Sequence, residues 1–307
     1  MKIRVGSRGS LLALTQAREV IYEIKKRFPD IDIELIIIKT LGDKDLQSFE
    51  KINTIGVFVK EIEEALIKNK IDIAVHSLKD LPTLMPEELD LGAVLKRANS
   101  QDVLISTKYS WDDLPENALI GTSSLRRRAQ LLNACPNLKF TDLRGNIETR
   151  LKKLISENLD AIVCAHAAFI RLNILDGACR VAGENYLPYS FTPLPKEIML
   201  PAVCQGIIGI EFKRDNLEIK EILKKINHDK TFFEASAERQ FLNTLGGGCL
   251  VPAGAIAEIK GNAMEIEGFH ANNDGTNLKR EKLIYPLEKM NEIGQDLAEK
   301  LKTGNRE

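Results

Sequence analysis

A thiol follows three glycines in Leu245-Gly246-Gly247-Gly248-Cys249-Leu250-Val251-Pro252. Glycine follows backbone paths closed to other residues and lets a second molecule approach the main chain. Cys249 in that setting suits an attachment point or a nucleophile. A buried structural cysteine after a turn accounts for the same residues. A second set recurs where an apolar strand-like run gives way to a helix-like one: Ser7-Arg8-Gly9-Ser10, Thr122-Ser123-Ser124 and Arg144-Gly145-Asn146. Ligands of open α/β sheets bind at the carboxyl ends of strands. Helix N-termini there present N–H groups and partial positive charge, which suit anions. Hydroxyls and arginines add charge-assisted hydrogen bonds, and a guanidinium meets a carboxylate through two of them. Any one serine or threonine alone reads as an ordinary N-cap. Their recurrence at successive strand ends favours a ligand.

The run Arg126-Arg127-Arg128 falls in the first turns of a helix. That is the wrong end for cations, at a cost of roughly a few tenths of a kcal/mol each. A solvated basic face is the usual explanation, but an anion over the helix terminus would remove the penalty. Arg8, Arg126, Arg127, Arg144, Arg150 and Arg171 would then form a site for a polycarboxylate or polyphosphate. Asp80 follows a strand, beside Lys79 and ahead of Pro82. It reads as a turn residue with local hydrogen bonds, or as a carboxylate facing the anion site. Among arginines it stays ionised, able to stabilise a developing cation or to relay a proton. His76, on the same strand end, is expected to be structural.

The elements that must hold these residues follow from periodicity. Strands are expected over 2–6, 33–38, 71–75, 118–121, 138–143 and 159–165, alternating with helices. The first helix carries Leu11, Leu14, Ala17, Ile21 and Ile24 at helical spacing behind a Ser10 cap, and the second carries Phe58, Ile62, Ala65 and Leu66. The run 33–38 reads as a buried strand, and 173–199, rich in proline and glycine, as a connector. The alternation implies a mostly parallel sheet, restarting near residue 103. The segment 206–226 adds a strand and a charged helix. After a helix over 232–245, strands over 253–259, 263–269 and 278–285 form a meander, followed by a helix over 287–301. This last part is α+β.

Bulk composition excludes several classes. The chain has 307 residues, enough for two or three domains, with 43 Lys+Arg against 44 Asp+Glu and a net charge of −1. That balance argues against binding nucleic acid through bulk charge. Five cysteines with no C-x-x-C pair suggest neither a disulfide framework nor a zinc site, so no metal is expected. The stretch Met1–Gly6 enters an apolar strand without a signal-peptide pattern, and no apolar run reaches membrane-span length. A soluble, cytoplasmic protein is expected. No P-loop, dinucleotide fingerprint, H-E-x-x-H, G-x-S-x-G or EF-hand pattern occurs.

Taken together, these residues resemble the porphobilinogen deaminase, or hydroxymethylbilane synthase, family over nearly the whole chain. The resemblance rests on Val5-Gly6-Ser7-Arg8-Gly9-Ser10-Leu11-Leu12-Ala13-Leu14-Thr15-Gln16 and on Asp72-Ile73-Ala74-Val75-His76-Ser77-Leu78-Lys79-Asp80-Leu81-Pro82-Thr83. It also rests on Ile120-Gly121-Thr122-Ser123-Ser124-Leu125-Arg126-Arg127 and Leu143-Arg144-Gly145-Asn146-Ile147-Glu148-Thr149-Arg150-Leu151. Leu200-Pro201-Ala202-Val203, Gln205-Gly206 and Gly247-Gly248-Cys249 with Val251-Pro252 complete it. No single stretch decides; six in the right order do.

The resemblance implies two α/β domains of the type II periplasmic-binding-protein kind and a smaller C-terminal α+β domain. The expected bounds are 1–99 with 203–226, 103–199, and 230–307. It implies a dipyrromethane cofactor joined to Cys249 by a thioether. Four porphobilinogen molecules would be added in turn with loss of ammonia, and the linear tetrapyrrole hydroxymethylbilane released by hydrolysis. Each porphobilinogen carries an acetate and a propionate, which gives a reason for the arginines. Deamination yields an electrophilic azafulvene, and Asp80 matches the carboxylate that stabilises the cationic intermediates. Lys79, Arg126, Arg127, Arg144, Arg150 and Arg171 would bind carboxylates. Arg8, Ser10, Gln16, Ser77, Thr122, Ser123, Ser124 and Gln205 would line the same cleft, with Gly145 at the cofactor. A monomer is expected, with porphobilinogen as partner and neither nucleic acid nor membrane.

Some positions depart from the family pattern. Ile55, in Asn53-Thr54-Ile55-Gly56-Val57-Phe58, stands where a loop lysine is usual, and Cys204 where glycine is usual. Ala167-Ala168 replaces Ala-Gly, Ser100-Gln101-Asp102 replaces Pro-Arg-Asp, and the connector 173–199 is long. Two rival readings are a cytosolic two-lobed carboxylate-binding protein and an inactive paralogue. The presented thiol of Cys249 argues against the first.

Overall fold

The computed structural model describes residues 1–39, 59–174, 189–246 and 251–303. The chain divides into two compact units: Met1–Ala98 with Gly206–Ser236, and Asn99–Gln205 with Ala237–Glu307.

The first unit is built on a five-stranded sheet in the order β2-β1-β3-β10-β4. Its strands are β1 (Lys2–Ser7), β2 (Asp32–Ile37), β3 (Ile73–Ser77), β4 (Leu89–Val94) and β10 (Ile208–Lys213). β1 runs parallel to β2 and β3, whereas β10 lies antiparallel between β3 and β4. Alternation along the strands sorts side chains to two faces. Ile3, Val5, Ile73, Val75, Ile210 and Phe212 meet helix α1 (Leu11–Arg27) and a later helix over Leu217–Ile226. On the other face Ala74 and Leu89 pack with Ile62, Ala65 and Leu66 of α2 (Lys60–Ile67).

Two sequence expectations change here. The run 33–38 is not a buried strand: β2 ends at Ile37, occupies a sheet edge, and has no fully buried residue. Glu34 interrupts the apolar run and reaches Lys2 on β1 at 3.0 Å. In α1 the buried face is Gln16, Ala17, Val20 and Ile24, while Leu11 is 50% exposed. β4 escaped the periodicity because Asp90 and Gly92 break its apolar pattern.

The second unit repeats the plan. Its sheet runs β7-β6-β8-β5-β9, from β5 (Asp102–Ser106), β6 (Leu119–Gly121), β7 (Lys139–Thr141), β8 (Ala161–Ala165) and β9 (Ser190–Pro193). β6 is parallel to β7 and β8, and β5 is antiparallel to both β8 and β9. In each sheet the antiparallel strand is the first to form after the chain enters that unit, at Asn99 and at Gly206. Helices α3 (Leu125–Ala134), α4 (Ile147–Ser156) and α5 (His166–Arg171) follow the parallel strands. The expected connector 173–199 contains β9, which pairs with β5 through short Ser-Phe-Thr-Pro alternation. Residues 175–188 of it, with Cys179, lie outside the described residues.

After α6 (Leu217–Ile226) and α7 (Asp229–Leu245) comes the antiparallel meander β11 (Ala253–Lys260), β12 (Ala263–His270) and β13 (Lys279–Pro286), then α8 (Ile293–Thr303). Gly294 starts α8 close against α7: a Cβ there would lie 2.1 Å from the Ala237 carbonyl oxygen. Within the second unit, Ile256, Phe269 and Ala271 of the meander share a core with Ala129 of α3 and Leu200. The architecture is therefore two α/β sheets of one topology, of the type II periplasmic-binding-protein kind, with a smaller C-terminal α+β part.

Candidate active site

In the first unit the candidates gather at the carboxyl ends of β1 and β3. Ser10 caps α1, its hydroxyl accepting from the Ala13 N–H at 3.3 Å. One turn on, buried Gln16 turns its amide to β3, and its Nε2 donates to the Ser77 hydroxyl at 2.8 Å. Two site residues predicted 61 positions apart are thus bonded to each other. After Ser77 the chain makes a single 3₁₀ turn, Leu78–Asp80, pinned by the Leu78 N–H donating to the Ile207 carbonyl at 2.9 Å. The turn throws Lys79 and Asp80 to the rim. Asp80 is exposed, and its carboxylate has no hydrogen-bond or ion-pair partner among the described residues. Arg8 is part-buried at the end of β1.

His76 is structural, as expected. Its Nε2 lies 3.0 Å from Glu211 Oε2 on β10, with both side chains buried.

In the second unit the same strand ends carry hydroxyls and arginines. Ser124 caps α3, accepting from the Arg127 N–H at 3.4 Å. Thr122 accepts from the Ser124 N–H at 3.3 Å. Ser123 accepts from the Leu143 N–H at 3.0 Å, tying the loop after β6 to the loop after β7. In that second loop Gly145 has φ +117°, and a Cβ there would lie 2.6 Å from Thr149. Asn146 caps α4 through the Thr149 N–H at 2.9 Å. Arg150 donates its Nε to the Gly145 carbonyl at 2.8 Å, so the loop fixes the root of its guanidinium. Arg144 is exposed and has no partner among the described residues. Arg171 ends α5.

Arg126 and Arg127 are arranged otherwise than their sequence position suggests. Both are buried, and both bind the fully buried Asp102 at the start of β5. Arg126 Nη2 reaches Oδ2 at 2.8 Å, and Arg127 reaches Oδ1 through Nε at 3.0 Å and Nη2 at 2.7 Å. Arg126 also donates Nη1 to the Leu200 carbonyl at 2.6 Å. Burial disfavours these charges; for Arg127, Asp102 and the nearby Cys164 outweigh it and hold its pKa above the ordinary value. Two cations against one carboxylate leave a net positive charge under the first turn of α3.

Asp102 is the residue that sequence reasoning missed. Its signal was available: an acid at the head of the apolar run Val103-Leu104-Ile105 needs a buried partner. Glu211, inside the apolar stretch of β10, carries the same signal.

Gln205 is fully buried, its Nε2 donating to the Ser100 and Gln101 carbonyls at 2.8 and 3.3 Å. Beside it Cys204, also buried, holds φ +61° and donates its N–H to Glu238 Oε2 at 2.6 Å. Cys249 and Ile55 lie outside the described residues. The described flanks of Cys249 are Gly246, at φ +79°, and Pro252, whose carbonyl accepts from the Ala271 N–H at 3.0 Å. Among the described residues no group of three or more His, Cys, Asp or Glu could hold a metal ion, and no helix is long and apolar enough to cross a membrane.

Two family models cover these elements. Residues 3–221 match the porphobilinogen deaminase dipyrromethane cofactor-binding domain, and residues 232–303 match the porphobilinogen deaminase C-terminal domain. The chain belongs to the porphobilinogen deaminase family. It is 46% identical over 302 residues to the porphobilinogen deaminase of Clostridium novyi, covering 97% of this chain and 98% of that one. It is 45% identical to that of Desulforamulus reducens over 302 residues (98% and 94% covered) and 41% identical to that of Geotalea uraniireducens over 307 (99% and 93%). Both lobes' strand ends thus fall within the family's cofactor-binding domain. The glycine-flanked Cys249 falls in the C-terminal domain.

Proposed function

We propose that this protein condenses four porphobilinogen molecules stepwise into hydroxymethylbilane, releasing ammonia, on a dipyrromethane primer carried by Cys249. The observation that carries this reading is the contrast between Asp80 and the other acids at the two sheets. Asp102 and Glu211 are buried and paired, whereas Asp80 stands exposed on a pinned turn with no partner among the described residues. A carboxylate held this way is available to a substrate.

The donors present fit the implied cofactor. A dipyrromethane is a short chain of carboxylated pyrroles, and when bound it supplies the nucleophilic ring carbon to which each new unit is joined. Arg144, with no partner among the described residues, and Arg150, rooted on Gly145, offer guanidiniums suited to carboxylates. Arg126 and Arg127 add fixed positive charge, and Lys79, Arg171 and Arg8 extend the cationic set. The hydroxyls of Ser77, Thr122, Ser123 and Ser124 shape the strand ends that present them, as do Ser10, Gln16 and Gln205. Asp80 accepts a hydrogen bond from pyrrole N–H, holds positive charge developing there, and can take up and return a proton. Cys249 acts once, as a tether. The protein is a transferase of the hydroxymethylbilane synthase class. Its three sheets are assigned to three domains with the bounds expected from sequence, working in the cytoplasm as a monomer.

Intact-mass measurement of the purified protein tests this. An adduct of two pyrrole units, lost in Cys249→Ala, is expected. An unmodified mass from cells that make porphobilinogen overturns it.

A further inference from the structure

Of the chain's four histidines, His76 bonds Glu211 and His228 bonds Thr231. His166 is different. Its Nδ1 is covered from solvent, yet it has no hydrogen-bond partner. A covered polar nitrogen without a partner costs about 1–3 kcal/mol, so its survival calls for a reason.

The placement of His166 supplies one. It directly follows β8, the middle strand of the second sheet, and lies on the carboxyl rim with the Thr122–Ser124 and Arg144–Asn146 loops. Its backbone is fixed, because its N–H donates to the Gln101 carbonyl at 3.0 Å beside the Ala165–Asp102 register pair. The next three residues, Ala167, Ala168 and Phe169, are buried and apolar, so the imidazole is the one polar side chain in that turn.

We infer that His166 is a further carboxylate-binding residue of the second lobe, donating from its ring to an acetate or propionate of the pyrrole chain. This rests on the function proposed above. The charged groups on neighbouring elements include Asp102 on β5, already held by Arg126 and Arg127, Glu148, Arg150, Lys152 and Lys153 on α4, and Arg171 on its own helix. None of them sets the state of the ring: burial alone lowers its pKa. Without a ligand the imidazole is therefore inclined to be neutral, and a carboxylate brought against the part-exposed edge of the ring favours its charged form.

The test compares imidazole titration by NMR in the cofactor-bearing protein and in Cys249→Ala. The His166 ring is expected to titrate about one pH unit higher with the cofactor present. His166→Phe is expected to raise KM for porphobilinogen about tenfold with kcat changed less than about twofold, and His166→Gln, which keeps a donor, to recover most of that loss. A dipyrromethane adduct with an unaltered His166 titration and KM overturns this inference alone. Absence of the adduct overturns the proposed function together with it.

Discussion

The two five-stranded sheets share one strand order and one direction pattern, yet their matching strands carry different charge pairs. In the first sheet the antiparallel strand β10 buries Glu211 against His76. In the second, the antiparallel strand β5 buries Asp102 against Arg126 and Arg127. One sets an imidazole against a single carboxylate; the other sets two guanidiniums against one carboxylate. The rims differ accordingly. The first presents Asp80, with no partner among the described residues, beside Lys79 and Arg8, and the second presents Arg144, Arg150 and Arg171. On the proposed function, one scaffold carries a carboxylate for developing cations in one copy and cations for carboxylates in the other.

Three substitutions probe that division. Asp80→Asn removes the charge but keeps the shape of the turn. Turnover should fall about 10³-fold with substrate binding retained, in the range for a lost electrostatic stabiliser. Near-normal turnover would show that the acid of the first rim has no part in the reaction. Asp102→Asn strips the countercharge from two buried guanidiniums, and roughly 3–5 kcal/mol of stability should be lost in denaturant unfolding. Glu211→Gln, at the corresponding place in the other sheet, keeps a hydrogen-bonding group opposite His76 and should cost less than about 2 kcal/mol. Equal losses would erase the distinction between the two pairs.

The smallest effect concerns Glu63 on α2. Burial, then the Glu211 charge, raises its pKa above the ordinary 4.5, with His76 opposing. The folded state therefore holds this proton more tightly than the unfolded chain. Stability is lost as pH rises from the ordinary value through the raised one, and it stays lost above. Glu63→Gln should stabilise the protein by less than about 1 kcal/mol near neutral pH and leave it unchanged in acid below the ordinary value. Stabilisation of equal size in acid would break the link to the proton.

Much of this was legible in the sequence. Ser10, Ser124 and Asn146 cap the helices at the expected strand ends, because a cap needs only a side-chain oxygen and the next few N–H groups. The strands β1, β3, β6 and β8 follow from local apolar runs. What failed depends on distant partners. The run 33–38 is as apolar as a central strand, but its place at the sheet edge is set by which strands pair on either side of β1. β9 could not be found because a four-residue strand carries little periodicity and its partner β5 lies more than 80 residues earlier.

The residues with chemical capacity were determined by sequence alone: the thiol at Cys249, the carboxylate at Asp80, and the arginines at helix starts. Their types and local spacing are written in the order of residues. The tertiary structure decided which of these charges are spent inside the protein and which face outward. Arg126 and Arg127 look like a free basic run until Asp102 is folded against them, and Asp80 looks like any turn acid until the fold leaves it without a partner among the described residues. Burial and pairing come from contacts between segments far apart in the chain, and those contacts exist only once the sheets have formed.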